Sequence, residues 1–328
     1  MSDRRPRQRQ NLESLLKFCV ENTASEDPTT ESTASEIHPE RKAWLQEALA
    51  AFTGDDEAAL MKKCLQILVT PAGKLSSDPE EDFMTRENAL EQLESVVDII
   101  DNAKDCYKLG GFDILLKYLD ENNHILQSKA LSVLGLCLQN NTFCQDQALK
   151  LNILPKFLEM IDGEFSDSQV NVKALYALGC LIRGHEEAER LFITSDGFSY
   201  LLRALQRNIP KINVKAIFLI SNLTEEKTEY LETLYNMGMV EQIVIIIQGP
   251  HDRHHEHVLN ILLKLVSSYP PALKDCQQEK YGLKETLENR KHYLQESDAE
   301  ANEEEISYCI QLIKLCFTDE NIHDITDR

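Results

Sequence analysis

An all-α solenoid of stacked helical repeats is the fold this sequence predicts, and three observations predict it. The first is a phrase, Asn171-Val-Lys-Ala-Leu-Tyr-Ala-Leu-Gly-Cys-Leu-Ile-Arg183, with versions at Lys129-Ala130-Leu131, Lys173-Ala174-Leu175, Lys215-Ala216-Ile217 and, more loosely, His257-Val258-Leu259. These are separated by 44, 42 and 42 residues, within the roughly 40 to 47 of HEAT and armadillo units, whose two or three helices bury their apolar faces only by stacking. The second is a marker that keeps step with the phrase: Gly111-Phe112, Asn152-Ile153, Gly197-Phe198 and Gly238-Met239 each stand about 20 residues ahead of it. The third is composition. Hydrophobic residues at 42% supply a core, while only 12 glycines and 7% aromatics suit helix rather than sheet.

Taken in order, residues 1–38 begin basic, carry the apolar Leu12, Leu15, Leu16 and Phe18, and then run through Ser, Thr, Glu and Pro. They read as a disordered tail whose apolar stretch is a candidate linear motif. Residues 39–80 read as an N-terminal helical cap. Pro39 suits the first position of a helix through Trp44 to Phe52, Gly54 ends it, and Asp55 and Asp56 cap a second helix that ends at Thr70-Pro71. After a loop from Pro71 to Pro79, Thr85 opens a long helix whose Ala89-Leu90 lies 41 residues before Ala130-Leu131, a degenerate first repeat.

The repeats fill 81–270, each a short helix, a kink, a second helix, a loop and a long helix. A glycine at the kink permits a positive φ. Tyr269-Pro270-Pro271 stops the last repeat. Residues 271–318 read as C-terminal capping helices, with Ile306, Cys309, Ile310, Ile313, Leu315 and Phe317 covering the last apolar face. Residues 319–328 read as a frayed tail.

At about 100° per residue, the long helix of the second repeat puts Ala174, Leu175, Leu178, Leu181 and Ile182 on a core side and Lys173, Tyr176, Cys180 and Arg183 on the other. The same wheel gives Lys129, Ser132, Leu136, Gln139 and Asn140 before it, then Lys215, Phe218 and Asn222, then His257, Asn260 and Lys264. A stacked solenoid lines its inner, concave surface with this second set. The face becomes a column of basic and amide groups with aromatics between, and the four-fold recurrence in register marks it as a partner-binding surface.

Acidic residues outnumber basic ones 55 to 34, leaving −21. Such a surplus repels phosphate, which argues against nucleic acid and anionic membranes as partners. The nine cysteines form no C-x-x-C pair, and most fall in apolar helical patterns as small hydrophobes, as expected in a reducing compartment. With no apolar signal core behind the basic N-terminus and no run near the roughly 20 apolar residues of a membrane span, the expected location is the cytosol, with nuclear access open.

Signs of chemistry are sparse. Gly73-Lys74-Leu75-Ser76 lacks the earlier glycine of a phosphate loop. The cluster His251, His254, His255 and His257 has no cysteine or carboxylate at zinc-ligand spacing. The expectation is therefore no catalytic residue, no metal and no cofactor.

Several segments in order, Asn11-Leu-Glu-Ser-Leu-Leu16, Arg41-Lys-Ala-Trp-Leu-Gln-Glu-Ala48, Val172 to Arg183, Asp196-Gly-Phe198, Met237-Gly-Met-Val240 and His255-Glu-His-Val-Leu259, resemble the armadillo-type nucleotide exchange factors of Hsp70 chaperones. The resemblance spans roughly residues 11 to 318. It implies an armadillo-repeat right-handed superhelical solenoid with N- and C-terminal helical caps, and a monomer whose concave face wraps one lobe of the Hsp70 nucleotide-binding domain. The other lobe is displaced, the cleft opens and ADP leaves. It further implies that Leu12, Leu15, Leu16 and Phe18 engage the chaperone's substrate-binding domain to help expel substrate. The competing expectation is an armadillo adaptor for extended peptides, whose tryptophan and asparagine ladder is matched here only at Asn222.

Overall fold

The structure is a computed structural model that describes residues 55–165, 168–252, 254–297 and 300–318. The tail motif, the first helix with Trp44 and the last ten residues lie outside the described residues. From residue 56 the chain forms one compact unit, and every regular element described is helical: α1 (Asp55–Val69), α2 (Pro79–Glu94), α3 (Ile100–Lys108), α4 (Gly111–Leu119), α5 (His124–Leu138), α6 (Thr142–Lys150), α7 (Ile153–Asp162), α8 (Gln169–Ile182), α9 (Glu186–Thr194), α10 (Gly197–Gln206), α11 (Pro210–Glu226), α12 (Tyr230–Asn236), α13 (Met239–Gln248), α14 (His255–Ser268), α15 (Pro270–Cys276), a 3₁₀ turn (Glu279–Tyr281), α16 (Leu283–Ser297) and α17 (Glu303–Phe317).

Helices α3 to α14 are four repeats of three helices. The long helices stack in one row, α2 against α5, then α8, α11, α14 and α17, while α7, α10, α13 and α16 form a second row. Between the rows runs a continuous core that includes Ala174, Leu175, Leu178, Leu181 and Ile182, the side the helical wheel assigned to it. Ala130, Ala174 and Ala216 are fully buried, so small residues set the close approach of neighbouring long helices.

The kinks take a positive φ at Gly110 (78°), Asn152 (53°), Asp196 (58°) and Gly238 (86°). At two of the four this is one residue earlier than the glycine expected to bend. Gly111 and Gly197 are the first helical residues instead, and their missing side chains serve packing. A Cβ on Gly111 would lie 2.6 Å from Cys106 Sγ, and one on Gly197 would lie 2.2 Å from the Phe192 ring. Helix α2 starts at Pro79, six residues before Thr85. Asp78 accepts from the Glu80 amide, Pro79 stands at N1, and Glu80, Glu81 and Asp82 fill the first turn, where carboxylates favour the helix dipole.

Layers are joined by side chains that satisfy the orphan carbonyls of helix C-termini. Asn171 Nδ2 donates to Met160, Ile161 and Gly163 at 2.9 to 3.1 Å. Gln145 Nε2 does the same for Cys180, Leu181 and Arg183, and Arg290 donates to Ile247 and Gly249. At the N-terminal end Arg86 binds Asp82 at 2.7 Å, the Thr70 carbonyl at 2.7 Å and the Tyr118 hydroxyl at 2.8 Å. The hydrogen bond from Arg86 holds the Asp82 carboxyl below its usual range.

Candidate functional site

The long-helix row presents the predicted column, and α2 changes its charge. Lys129 pairs with Glu91 at 2.7 Å and with Glu87 at 3.4 Å. Burial lowers the Lys129 pKa, the Glu91 bond raises it, and the net effect is upward. Ser132, only 2% exposed, donates to Glu94 Oε1 at 2.6 Å and accepts from Lys173 Nζ at 2.7 Å. Two of the basic groups of the column are thus answered within the molecule. Glu87, Glu91 and Glu94 fall at i, i+4 and i+7, one stripe of α2, and that spacing was the sequence signal for the pairing.

Beyond Lys173 the surface opens. The Tyr176 ring lies against α5 where a Cβ on Gly135 would come within 2.5 Å of it, and the Tyr176 hydroxyl donates to Gln139 Oε1 at 3.1 Å. Burial pushes the Tyr176 phenol well above its ordinary pKa and raises the Cys180 thiol. The ammonium groups of Lys173 and Lys215 each stand 5.9 Å from the Tyr176 ring centroid, and the Arg183 guanidinium stands 5.4 Å from that of Phe218, within cation–π reach. Phe218 is 42% exposed, with the His257 ring edge-on at 5.8 Å.

Between α8 and α11 these groups enclose a pocket of about 170 Å³ with the buried Leu175 and Leu219 and the backbone of Gly179 at its base. Tyr176, Cys180 and Phe218 wall it; Gln139, Asn140, Arg183, Lys215 and Asn222 complete its lining. Eight predicted residues, Gln139, Asn140, Tyr176, Cys180, Arg183, Lys215, Phe218 and Asn222, therefore meet around one space. Leu136 is half-buried on α5, and Asn260 and Lys264 lie farther along the row on α14. The Lys264 ammonium is buried without a hydrogen-bond partner. Gly135 and Gly179, which make room for the ring and the pocket, were missed because a mid-helix glycine carries no polarity signal.

The histidine cluster takes a different part. His251 Nε2 lies 3.0 Å from Glu305 Oε2, a carboxylate the fold brings from α17, while His254 and His255 are buried. No group of three or more potential ligands among the described residues is arranged to hold a metal ion. None of the described helices is long and apolar enough to cross a membrane, and the eight described cysteines are free, seven of them buried.

A family model for the nucleotide exchange factor Fes1 matches residues 12–106, and one for the SIL1/FES1/HPBP1 C-terminal domain matches residues 102–242. Hsp70-binding protein 1 of Mus musculus is 38% identical over 319 residues, covering 95% of this chain and 87% of its own. The chain belongs to the SIL1/FES1/HPBP1 family. The Hsp70 nucleotide exchange factor FES1 of Saccharomyces cerevisiae is 27% identical over 298 residues, 88% of this chain and 97% of its own. A designed armadillo repeat protein superposes with a TM-score of 0.59 at 16% identity, over 78% of this chain and 99% of its own, which makes the solenoid of this SIL1/FES1/HPBP1 member an armadillo fold. The C-terminal family match runs from within α3 to within α13 and contains the whole pocket.

Proposed function

We propose that this SIL1/FES1/HPBP1 member is a co-chaperone that binds the nucleotide-binding domain of an Hsp70 through the long-helix row and promotes release of ADP. The names of its relatives support the partner and the activity. The observation that supports the surface is the pocket itself: a half-exposed phenylalanine, a buried-edge tyrosine and two cations on rigid helices have the composition of an interface centre, where aromatic residues and arginine carry most contact energy. The row wraps one lobe, displaces the other and opens the cleft. No catalytic group is required. The factor need only bind the open, nucleotide-free domain better than the ADP-loaded one, and a tenfold loss of ADP affinity corresponds to about 1.4 kcal/mol of that difference.

In this reading the chain works as a cytosolic monomer, and Leu12, Leu15, Leu16 and Phe18 form a separate element that helps release substrate. The peptide-adaptor reading is disfavoured by the row itself, which offers Tyr176 and Phe218 but no repeated asparagine ladder, and which buries Ser132 under Lys173. The deciding experiment is stopped-flow release of a fluorescent ADP analogue from purified Hsp70, with and without the protein. Acceleration that survives deletion of residues 1–38 assigns exchange to the repeat body; no acceleration by a folded sample sinks the reading.

A further inference from the structure

Two glycines stand in the interior of long helices on this row, Gly135 in α5 and Gly179 in α8. Glycine is unfavourable there, so each calls for a packing or functional reason. Gly135 has a packing reason, since a Cβ would meet the Tyr176 ring at 2.5 Å and Ala177 Cα at 3.3 Å. Gly179 has none: its added Cβ would find only Leu219 Cδ1 at 3.7 Å, an ordinary contact. What the bare backbone leaves is the base of the pocket.

The space there is about 170 Å³. It falls short of the ~300 Å³ at which small-molecule sites begin. The space has the scale of a single side chain. Arg183 and Lys215 line it, and neither has a carboxylate within ion-pair distance among the described residues, whereas Lys129 and Lys173 are answered by Glu91 and by Ser132 with Glu94. On a chain of net charge −21, an approaching anion is repelled by most of the surface. Here an apolar base stands ready for a methylene stem, and two uncompensated cations stand ready for its charged end.

We propose that the pocket over Gly179 is a socket for a single acidic side chain, glutamate or aspartate, of the folded partner, seated between Arg183 and Lys215. The assignment rests on the Hsp70 reading above and specifies the chemistry of its contact. Desolvation in the socket strengthens the charge-assisted bonds. The Tyr176 hydroxyl, already donating to Gln139, leaves the cations as the main donors.

Two variants separate space from charge. Gly179→Leu fills the socket and keeps both cations; Arg183→Gln with Lys215→Gln keeps the space and removes the charge. Affinity is read by calorimetry against the purified, nucleotide-free nucleotide-binding domain of Hsp70, at about 50 and about 300 mM salt. Each variant is expected to bind about tenfold more weakly at low salt, and the Gln pair is expected to lose most of the salt dependence. Gly179→Ala controls for folding: it removes the helix-interior glycine without a clash, so its denaturation midpoint holds or rises while binding weakens. Should Gly179→Leu unfold, Gly179→Ala carries the filling arm. Loss with the filling variant alone means an apolar occupant and overturns the acidic assignment. Loss with the Gln pair alone means steering from the rim and overturns the socket, as does no loss in either. A wild-type chain that does not bind the domain overturns the Hsp70 reading and the socket together.

Discussion

Asn171 bonds three carbonyls with one amide group, all within 3.1 Å, and thereby closes the C-terminus of α7 against α8. Gly163 keeps its bond from Arg207, but Asn171→Ala takes the amide from the Met160 and Ile161 carbonyls, which costs about 1 to 3 kcal/mol; urea unfolding should show a lower midpoint with an unchanged slope. A substitution at Phe218 acts differently. The ring is 42% exposed, so Phe218→Ala should leave the midpoint within about 0.5 kcal/mol of the parent while weakening Hsp70 binding by about 2 kcal/mol, the scale of an interface hot spot. A large stability loss would mean that the ring belongs to the fold rather than to the surface. Asn171 was visible in the sequence as the first letter of the repeated phrase, but its task was not. The carbonyls it caps lie 8 to 11 residues upstream across a loop, and only the folded turn brings them to the amide.

At the scale of elements, phase was legible where the apolar pattern was dense and failed where it was ambiguous. The long helix α8 buries the side its periodicity indicated, whereas in α5 Ser132, assigned to the open face, is buried as well. In α17 the buried stripe is Glu305, Cys309, Leu312 and Cys316, at i, i+4, i+7 and i+11, and Ile310, expected to cover the core, is 48% exposed. Of the residues expected there, Cys309 is buried and Ile313, Leu315 and Phe317 are partly buried against the core; Glu305 fell outside the pattern because a glutamate carries no weight in a hydrophobic count. Glu305 is buried because α17 packs on α14, and it meets His251 in the segment that leads into α14.

That joint predicts a pH response. His255 is 2% exposed, and burial, with the neighbouring Arg290, His254 and His251 opposing charge and Asp252 favouring it, lowers its pKa to about 3. His254, facing Asp252 and Glu305, is lowered too, chiefly by burial. An unfolded histidine titrates near 6.5. Between that value and about 3 the unfolded chain takes up a proton that folded His255 refuses. The contribution is therefore complete above pH 6.5 and is lost as pH falls toward 3, by at most about 1.4 kcal/mol per pH unit. Urea unfolding at pH 7 and pH 5 should differ by up to about 2 kcal/mol from this group. His255→Leu should flatten the difference, and an unchanged pH dependence in that variant would remove His255 as its cause.

Over the whole molecule, the period of the repeats and the excess of acid were plain in the sequence. The distribution of free charge was not. Lys129 and Lys173 are spent on α2 and Arg183 and Lys215 are not, a difference that depends on which helix stacks beside which. The consequence is that two cations without a carboxylate partner among the described residues, Arg183 and Lys215, stand together in the middle of the row. An exchange factor of the proposed kind is bound by reciprocity. Whatever factor it imposes on ADP affinity, ADP must impose on its own affinity for the chaperone. If calorimetry gives a tenfold preference for the nucleotide-free domain, about 1.4 kcal/mol, the dissociation constant of ADP must rise tenfold at saturating protein. The two ratios are measured independently, one by titrating protein into each nucleotide state and one by titrating ADP into each binding state. The closed cycle requires them to agree, and a common value well above one means that binding of the protein and of ADP oppose each other on the domain. Two ratios near one would show that the protein does not act on ADP affinity, and displacement of one lobe by the long-helix row would no longer describe the action.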